Sequence, residues 1–399
     1  MSELVTPSHE QQSQAPKILT SIAPRGLDYQ QRAVASWHAL GFHAVSLNCA
    51  EEIEVLRDAF PDVAFIEATR DGRARTGRPL VYFDDILAYY RSAGDAICGI
   101  VNSDILLKND AAFMDIVTRE ATDALVYGSR VDVENVDNRA GGVYRGGFDF
   151  FFFPRDLLDL YPNSTFMLGM PWWDYWVPTV ALLKGMNVKR LDSVYAFHEI
   201  HKINYSTERY LEFGREFTDH LRTLLPAGVE VHFPTLDDPD TADIPKIGAS
   251  TTRLLENYSI SLTKAAYDAA PYNEAGENAF AQEDYDQALQ RFQQALSVSP
   301  DDVRTLNNLA VLSWQLGDHE AAELFVGKAL RAAPDDRNTV FNYIDIKSAL
   351  NRKDAALSAC QHYLTIRRED PEMREVEITL KQSIEAEMDA TLEVLFSDF

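Results

Sequence analysis

A 34-residue internal period in the last third of the chain constrains its fold more than any other feature. Pro300-Asp301-Asp302 and Pro334-Asp335-Asp336 stand 34 residues apart, as do Ala288 and Ala322, Ala295 and Ala329, and Leu296 and Leu330. A weaker third copy puts Ala356 another 34 residues on. A unit of this length cannot bury its apolar face alone, so neighbouring copies must stack and share one continuous core. The small residues let two helices of a hairpin approach closely, and each Pro stops the second helix before the next copy begins.

With Gly276, Ala288, Phe292, Ala295 and Pro300 in matching places, this segment closely resembles the tetratricopeptide repeat. The resemblance implies three repeats, at residues 269–302, 303–336 and 337–370. In the third, Cys360, Tyr363 and Arg368 replace the usual residues, so that copy is degenerate. A stripe of Val376, Leu380, Ile384, Met388, Leu392 and Leu395 makes residues 371–399 a capping helix. Such arrays present concave surfaces, which implies a protein partner or self-association.

Upstream the pattern changes. Lys17–Ile22, Phe42–Leu47 and Val63–Ile66 are short β-favouring runs, separated by stretches in which Val34, Trp37 and Leu40, then Ile53, Leu56 and Phe60, recur at helical spacing. Leu80, Phe83, Leu87 and Tyr90 continue the alternation. Strands alternating with helices predict an α/β doubly wound, Rossmann-like sheet over residues 16–230, followed by the all-α repeat domain. Ala124–Gly128, Val188–Leu191 and Val194–Phe197 read as further strands, and the Phe-rich run Phe148–Phe153 as a central one. Residues 1–15 are polar and read as a disordered tail; the Pro- and Asp-rich stretch around Leu236-Asp237-Asp238-Pro239-Asp240 makes 231–268 a linker.

The formal net charge of −25 argues against nucleic acid as a partner, because a phosphate backbone is bound by clustered Lys and Arg. Three cysteines, Cys49, Cys98 and Cys360, lie too far apart in sequence to suggest a disulfide framework or a zinc site, which points to a reducing, cytoplasmic setting. No stretch approaches the ~20 apolar residues of a membrane span.

Chemistry concentrates where the apolar run Ala96–Val101 stops abruptly at Asn102-Ser103-Asp104. In open α/β sheets ligands bind beyond the carboxyl ends of the strands, where these hard-oxygen groups stand. The tripeptide resembles the Asp-X-Asp signature of nucleotide-sugar glycosyltransferases with the GT-A fold. The resemblance implies that Asp104 holds a divalent ion, Mn2+ or Mg2+, which neutralises the charge of the leaving nucleoside diphosphate. Asn102 departs from the pattern at its first position and brings no charge. Thr69–Arg78 carries four Arg and two Gly in ten residues, and guanidinium forks suit phosphate oxygens. The candidate donor-binding set is therefore Arg25, Arg70, Asp71, Arg78, Asn102, Ser103 and Asp104. The Gly-rich stretch Asn138–Gly147 reads as a loop able to close over a substrate; it lacks the Gly-Lys-Ser/Thr ending of a nucleotide-phosphate loop.

Gly169-Met170-Pro171-Trp172-Trp173-Asp174-Tyr175-Trp176 places one carboxylate among four aromatic rings. Aromatic faces stack on sugars, and a desolvated Asp has the raised pKa a general base needs. The resemblance makes Asp174 the base of an inverting enzyme. It also implies a metal ligand in a His just after the last strand, a place His198 fills, while His201 is left outside the ligand set. The function so implied is transfer of a sugar from a nucleotide diphosphate sugar to a hydroxyl of a glycan, a lipid-linked acceptor or a protein. Two alternatives stay open: a repeat scaffold with a catalytically inactive α/β domain, kept alive by Asn102, and a sugar nucleotidyltransferase. The latter needs a Gly-rich loop with a basic residue after the first strand, and Ser21–Gly26 offers one Gly.

Overall fold

The computed structural model describes residues 16–192, 195–201, 205–225, 243–367 and 370–397. The chain opens with β1 (Lys17–Thr20), α1 (Leu27–Ala39), β2 (His43–Asn48), α2 (Ala50–Leu56) and β3 (Ala64–Glu67). A one-turn helix α3 (Arg73–Thr76), α4 (Phe83–Ala93), β4 (Ile97–Val101), β5 (Ile105–Leu107), α5 (Ala111–Glu120) and β6 (Ala124–Gly128) follow. Next come β7 (Val131–Asn135), β8 (Asn138–Val143), β9 (Phe150–Pro154), α6 (Trp173–Leu183), β10 (Asn187–Leu191), β11 (Ala196–Glu199) and α7 (Thr207–Leu224).

The main sheet has the order β12-β10-β6-β9-β4-β1-β2-β3, where β12 is Ile260–Leu262. Its pairings are parallel except at β9, which runs antiparallel to both β4 and β6. The sheet is thus mixed, a departure from the all-parallel doubly wound sheet that alternation alone predicts. The Phe run does form a central strand, and the two-residue period explains its composition. Phe151 and Phe153 enter the core under α4, α6 and α7, whereas Phe150 and Phe152 enter the core under α1 and α5. Both faces are buried, so both must be apolar.

A second, four-stranded sheet has the order β5-β11-β7-β8. Its β7–β8 hairpin takes up most of the Gly-rich stretch expected to be a closing loop: Asn138–Val143 is strand, paired antiparallel to Val131–Asn135. β11, expected as a closing strand of the main sheet, belongs here instead.

The second half of the expected linker is also ordered structure. α8 (Ile244–Tyr258) packs on α6 and α7 and buries Ile247, Leu254, Leu255 and Tyr258. The Asp and Pro read as linker composition are helix-start chemistry here, with the Asp243 side chain accepting from the Lys246 amide and Pro245 in the first turn. β12 then adds an edge strand parallel to β10. The rest of that linker, 231–242, and the tail at 1–15 lie outside the described residues.

The three predicted repeats are three helical hairpins: α9 (Lys264–Ala281) with α10 (Tyr285–Val298), α11 (Val303–Gln315) with α12 (His319–Ala332), and α13 (Arg337–Ala349) with α14 (Lys353–Ile366). The recurring Pro-Asp-Asp now has a physical reason. Asp302 and Asp336 cap α11 and α13 by accepting from the amides of Thr305 and Thr339, and Asp284 and Asp318 cap α10 and α12 in the same way. In the degenerate copy the equivalent residue is Arg352, whose side chain makes no cap bond. Ala288, Ala322 and Ala356 are fully buried where the helices of each hairpin meet. A side chain at Gly276 would place its Cβ 2.4 Å from the Phe292 ring, so the first hairpin needs glycine at that closest approach. α15 (Pro371–Ser397) covers α14 and buries Met373 and Leu380.

Array and sheet are docked. Arg367, 7% exposed, pairs with the more deeply buried Asp335 at 3.2 Å and donates to the carbonyl of Met186 in the α6–β10 turn; the rings of Tyr258 and His362 stack nearby.

Candidate functional site

β4 ends at Val101, and the next residues turn tightly: the Asn102 amide donates to the Asp149 carbonyl and the Ile105 amide to the Asn102 carbonyl. Asp104 sits on this turn, at the start of β5. Register supplies the rest. β11 lays His198 opposite Ile105 on one side and opposite Asp132 on the other, so a residue near the end of the sequence of strands meets the tip of β4. Beyond β11, His201 brings its Nε2 to 3.1 Å from Asp104 Oδ2 and 3.1 Å from His198 Nε2, with its ring stacked on Tyr29 at 5.5 Å. One ligand atom from each of Asp104, His198 and His201 lies within 4.8 Å of the others.

A shell of polar groups holds this centre from behind. His198 Nδ1 is 2.9 Å from Asp132 Oδ1, the same oxygen accepts from Arg130 Nε at 2.7 Å, and Arg130 Nη1 donates to Asp149 Oδ1 at 2.7 Å. Asn102 also donates to that Asp149 oxygen, at 3.0 Å. Burial opposes the charge of Asp104, but the neighbouring imidazoles of His198, at 3.7 Å, and His201, at 3.1 Å, outweigh it and hold its carboxyl well below the ordinary range. Burial pushes Asp149 the other way, with Arg130 opposing, and its Oδ2 has no hydrogen-bond partner.

A pocket of about 120 Å3 opens beside Asp104, lined among others by Ile22, Arg25, Tyr29, Glu52, Arg78, Leu80, Asn102, Ser103 and Leu168. Arg25 and Arg78 make no ion pair among the described residues, and burial together with the charge of Arg25 lowers the Arg78 pKa. Of the donor-binding candidates, the pocket therefore collects Arg25, Arg78, Asn102, Ser103 and Asp104. Arg70 and Asp71 are not among its lining. Arg70 pairs with Asp85 at 2.9 Å and lies on the Tyr82 ring, while Asp71 caps the Arg73 amide and pairs with its guanidinium. Arg75, in the same loop, is taken by Glu212 and Glu216. An acidic surface thus neutralises most of the loop that was expected to grip phosphate.

Asp174 lies in the first turn of α6, after Trp172 in a left-handed conformation at φ 81°. Its Oδ2 accepts from the Phe148 amide at 3.2 Å and is packed so closely on Gly147 that a Cβ there would come within 2.2 Å. Burial first, and repulsion from Asp149 second, raise its pKa to about 7. Asp174 is not among the residues lining the pocket; Asp149 stands between the two sites and feels the charge of Asp104. The three Trp do not present faces to a ligand. Trp172, Trp173 and Trp176 are at most 2% exposed and fill the core, because α6 is apolar on all sides. The aromatic groups that feel the Asp174 charge are instead the phenols of Tyr144, Tyr175, Tyr205 and Tyr210.

His201, Asp132, Arg130 and Asp149 are absent from the sequence-derived set. One signal for Asp149 was present, an ionisable residue inside the run Phe148-Asp149-Phe150.

Comparison with known proteins bears on the helical region. The family model described as Tetratricopeptide repeat matches residues 279–340. The C-terminal region is a tetratricopeptide repeat array. Similar solved structures include "First TPR of Spaghetti (RPAP3) bound to HSP90 peptide SRMEEVD", at 18% identity and TM-score 0.28, covering 30% of this chain and 97% of that one. The Arabidopsis OM64 TPR domain is similar at 16% identity and TM-score 0.27, with coverage of 30% and 98%. PcrH from Pseudomonas aeruginosa is similar at 18% identity and TM-score 0.25, with coverage of 30% and 90%. No curated protein matches the chain. A cavity of about 690 Å3 lies between the first repeats and the sheet edge, lined by Lys189 and Leu262 on one side and by Asn273, Arg304, Asn308 and Asn342 on the other. Among the described residues no helix is long and apolar enough to cross a membrane.

Proposed function

We propose that the protein is a metal-assisted glycosyltransferase that moves a sugar from a nucleotide diphosphate sugar to an acceptor hydroxyl, with its tetratricopeptide array holding a protein partner. The observation that carries this reading is the company Asp104 keeps beyond the carboxyl end of β4: it lines one pocket with two arginines that have no carboxylate partner among the described residues, and it gathers with His198 and His201 into a group that could hold a metal ion. Two phosphates linked to an uncharged sugar are what such a pocket suits. Asp104, His198 and His201 fit a divalent ion, which when bound would neutralise charge on the departing diphosphate.

The chain's own groups account for the remaining needs. Arg25 and Arg78 hold diphosphate oxygens, and the apolar walls of Ile22, Leu80 and Leu168 exclude water around the donor. Asp174, with a pKa near the operating pH, takes the proton of the acceptor hydroxyl as that oxygen bonds to the anomeric carbon. The bond from that carbon to the diphosphate breaks at the same time, inverting the configuration. Three cysteines without disulfides suit a cytoplasmic setting.

Calorimetry of the full chain with uridine, guanosine, cytidine and deoxythymidine diphosphate sugars, with and without Mn2+, tests the proposal. One donor class should bind, R78A should weaken it at least roughly tenfold through loss of a charge-assisted contact, and R70A should not. Binding by none of the four would favour the second reading, an inactive α/β domain that carries the array. Asn102 in place of a carboxylate is the observation on its side.

A further inference from the structure

We infer, on the reading that the array holds a protein partner, that the cavity of about 690 Å3 between the first repeats and the sheet edge takes an extended, basic segment of that partner, bound through its main chain between β12 and the helices α11 and α13. Ile260, Ser261, Leu262 and Thr263 all line the cavity, so it runs along the whole of β12. β10 pairs with β12 on one side, and no strand pairs with it on the other among the described residues. The Asp192 amide donates to the Leu262 carbonyl, so the Leu262 backbone is turned to β10. Backbone groups alternate in direction along a parallel strand, which turns the amide and carbonyl of Ser261 to the open side, and Ser261 is exposed. An added strand needs free backbone groups of this kind. Three residues make too short an edge to recruit a chain by backbone alone, so the opposite wall must supply the rest.

That wall carries amides and negative charge with bonding capacity left over. Asn308 and Asn342 donate within the array, to Glu277 at 2.8 Å and to Asn307 at 3.3 Å, but their carbonyl oxygens accept from nothing among the described residues. Asn338, one turn before Asn342 on α13, is exposed, lines the same cavity and makes no side-chain hydrogen bond among the described residues. A primary amide matches a peptide unit, donor to acceptor and acceptor to donor. Charge then selects the segment. The cations lining the cavity are all paired: Arg304 with Glu277 at 2.7 Å, Lys189 with Glu120 and Asp123, and Arg119 with Glu120. Asp301, Asp302 and Asp336 line it as well and form no ion pair among the described residues. A terminal carboxylate or an acidic side chain therefore finds no free cation here, whereas Lys or Arg side chains find carboxylates without a cation.

No sugar donor enters the test, so a failure here and a failure of the transfer reaction are told apart. Full-length protein selects from a random peptide library displayed inside a carrier, and each selected peptide is synthesised with both ends blocked and titrated by fluorescence anisotropy. The selected peptides should be rich in Lys and Arg and poor in Asp and Glu. Their binding should weaken as salt is raised and should slow hydrogen exchange in the segment around Ser261. S261P removes the outward amide, a change that an edge strand tolerates, and should weaken binding about 3- to 10-fold, as the loss of one hydrogen bond does. N338A/N342A should also weaken it, so an unfolded S261P would leave the assignment testable. D301N should weaken it more than D62N, which makes the same charge change between α2 and β3. Recovery of no binding peptide, selection of acidic ones, tighter binding once the carboxyl end is unblocked, wild-type affinity in both S261P and N338A/N342A, or a dimer of this chain that S261P dissolves would overturn it.

Discussion

Asp174→Asn separates a catalytic carboxylate from a structural one, because the two roles predict opposite consequences for stability. Burial raises the Asp174 pKa to about 7 from an ordinary value of 3.8, while the unfolded chain titrates near that ordinary value. Between the two, the folded state binds a proton that the unfolded state has released, so stability falls as pH rises from about 4 to about 7 and stays low above it. A displacement of about three pH units corresponds to up to about 4 kcal/mol. Asparagine carries no charge yet keeps an oxygen for the Phe148 amide, so D174N should unfold at higher urea than the unaltered protein at pH 8 and match it near pH 4. Turnover should move the other way, falling roughly 10²- to 10⁴-fold as the base is lost. In the unaltered protein kcat/KM should rise with pH through about 7 as Asp174 gives up its proton. Urea unfolding at pH 4, 6 and 8 and release of nucleoside diphosphate from a bound donor measure the two sides. A D174N protein less stable at pH 8, or one with unaltered turnover, would refute the reasoning.

Removing the metal with a chelator should abolish transfer, lower the melting temperature by mass action and be reversed by Mn2+; full activity in excess chelator would exclude a role for His198 and His201. R367M leaves Asp335 buried without its cation, and breaking such a pair should cost about 3–5 kcal/mol in urea unfolding at pH 8. Burial raises the Asp335 pKa to about 6, so the loss should shrink at pH 5, where that carboxyl in the variant can take up a proton. G276A forces a Cβ into the Phe292 ring and should cost about 1–3 kcal/mol, read as an earlier unfolding of the array; an unchanged midpoint would show that α9 and α10 can separate without penalty.

The array was legible because its information is local and periodic. A capping Asp and a small residue between helices each act within one 34-residue unit, so their recurrence exposes the fold without tertiary knowledge. Apart from β12, the strands of the main sheet were legible one by one but not in their order, since nothing local says that Phe150–Pro154 enters antiparallel between β4 and β6. α8 was missed because Asp and Pro are shared by linkers and helix starts, and only packing on α6 and α7 distinguishes them. In the candidate site, Asp104 could be found from the strand before it and His198, which lies within β11, only from the family resemblance. His201, Asp132 and Arg130 could not, because they arrive through register in a second sheet whose hairpin, Asn138–Val143, looked like a glycine-rich loop.

That second sheet also explains why charge counts in the sequence mislead about which arginines bind. The chain has 62 acidic against 37 basic residues, so a guanidinium near its surface meets a carboxylate easily, and Arg70, Arg73, Arg75 and Arg130 have each done so. Density of arginine in a loop is therefore weak grounds for phosphate binding in an acidic protein. Arg25 and Arg78 break the rule. They face one pocket from separate segments and repel each other there, with no carboxylate paired to either among the described residues, and Arg78 meets only the Met170 sulfur at 4.0 Å. Two like charges held together and partly desolvated cost stability. Where a chain rich in acids leaves such a cost uncompensated, the compensation is sought from a ligand, and an anion that also reaches Asp104 through a cation would supply it.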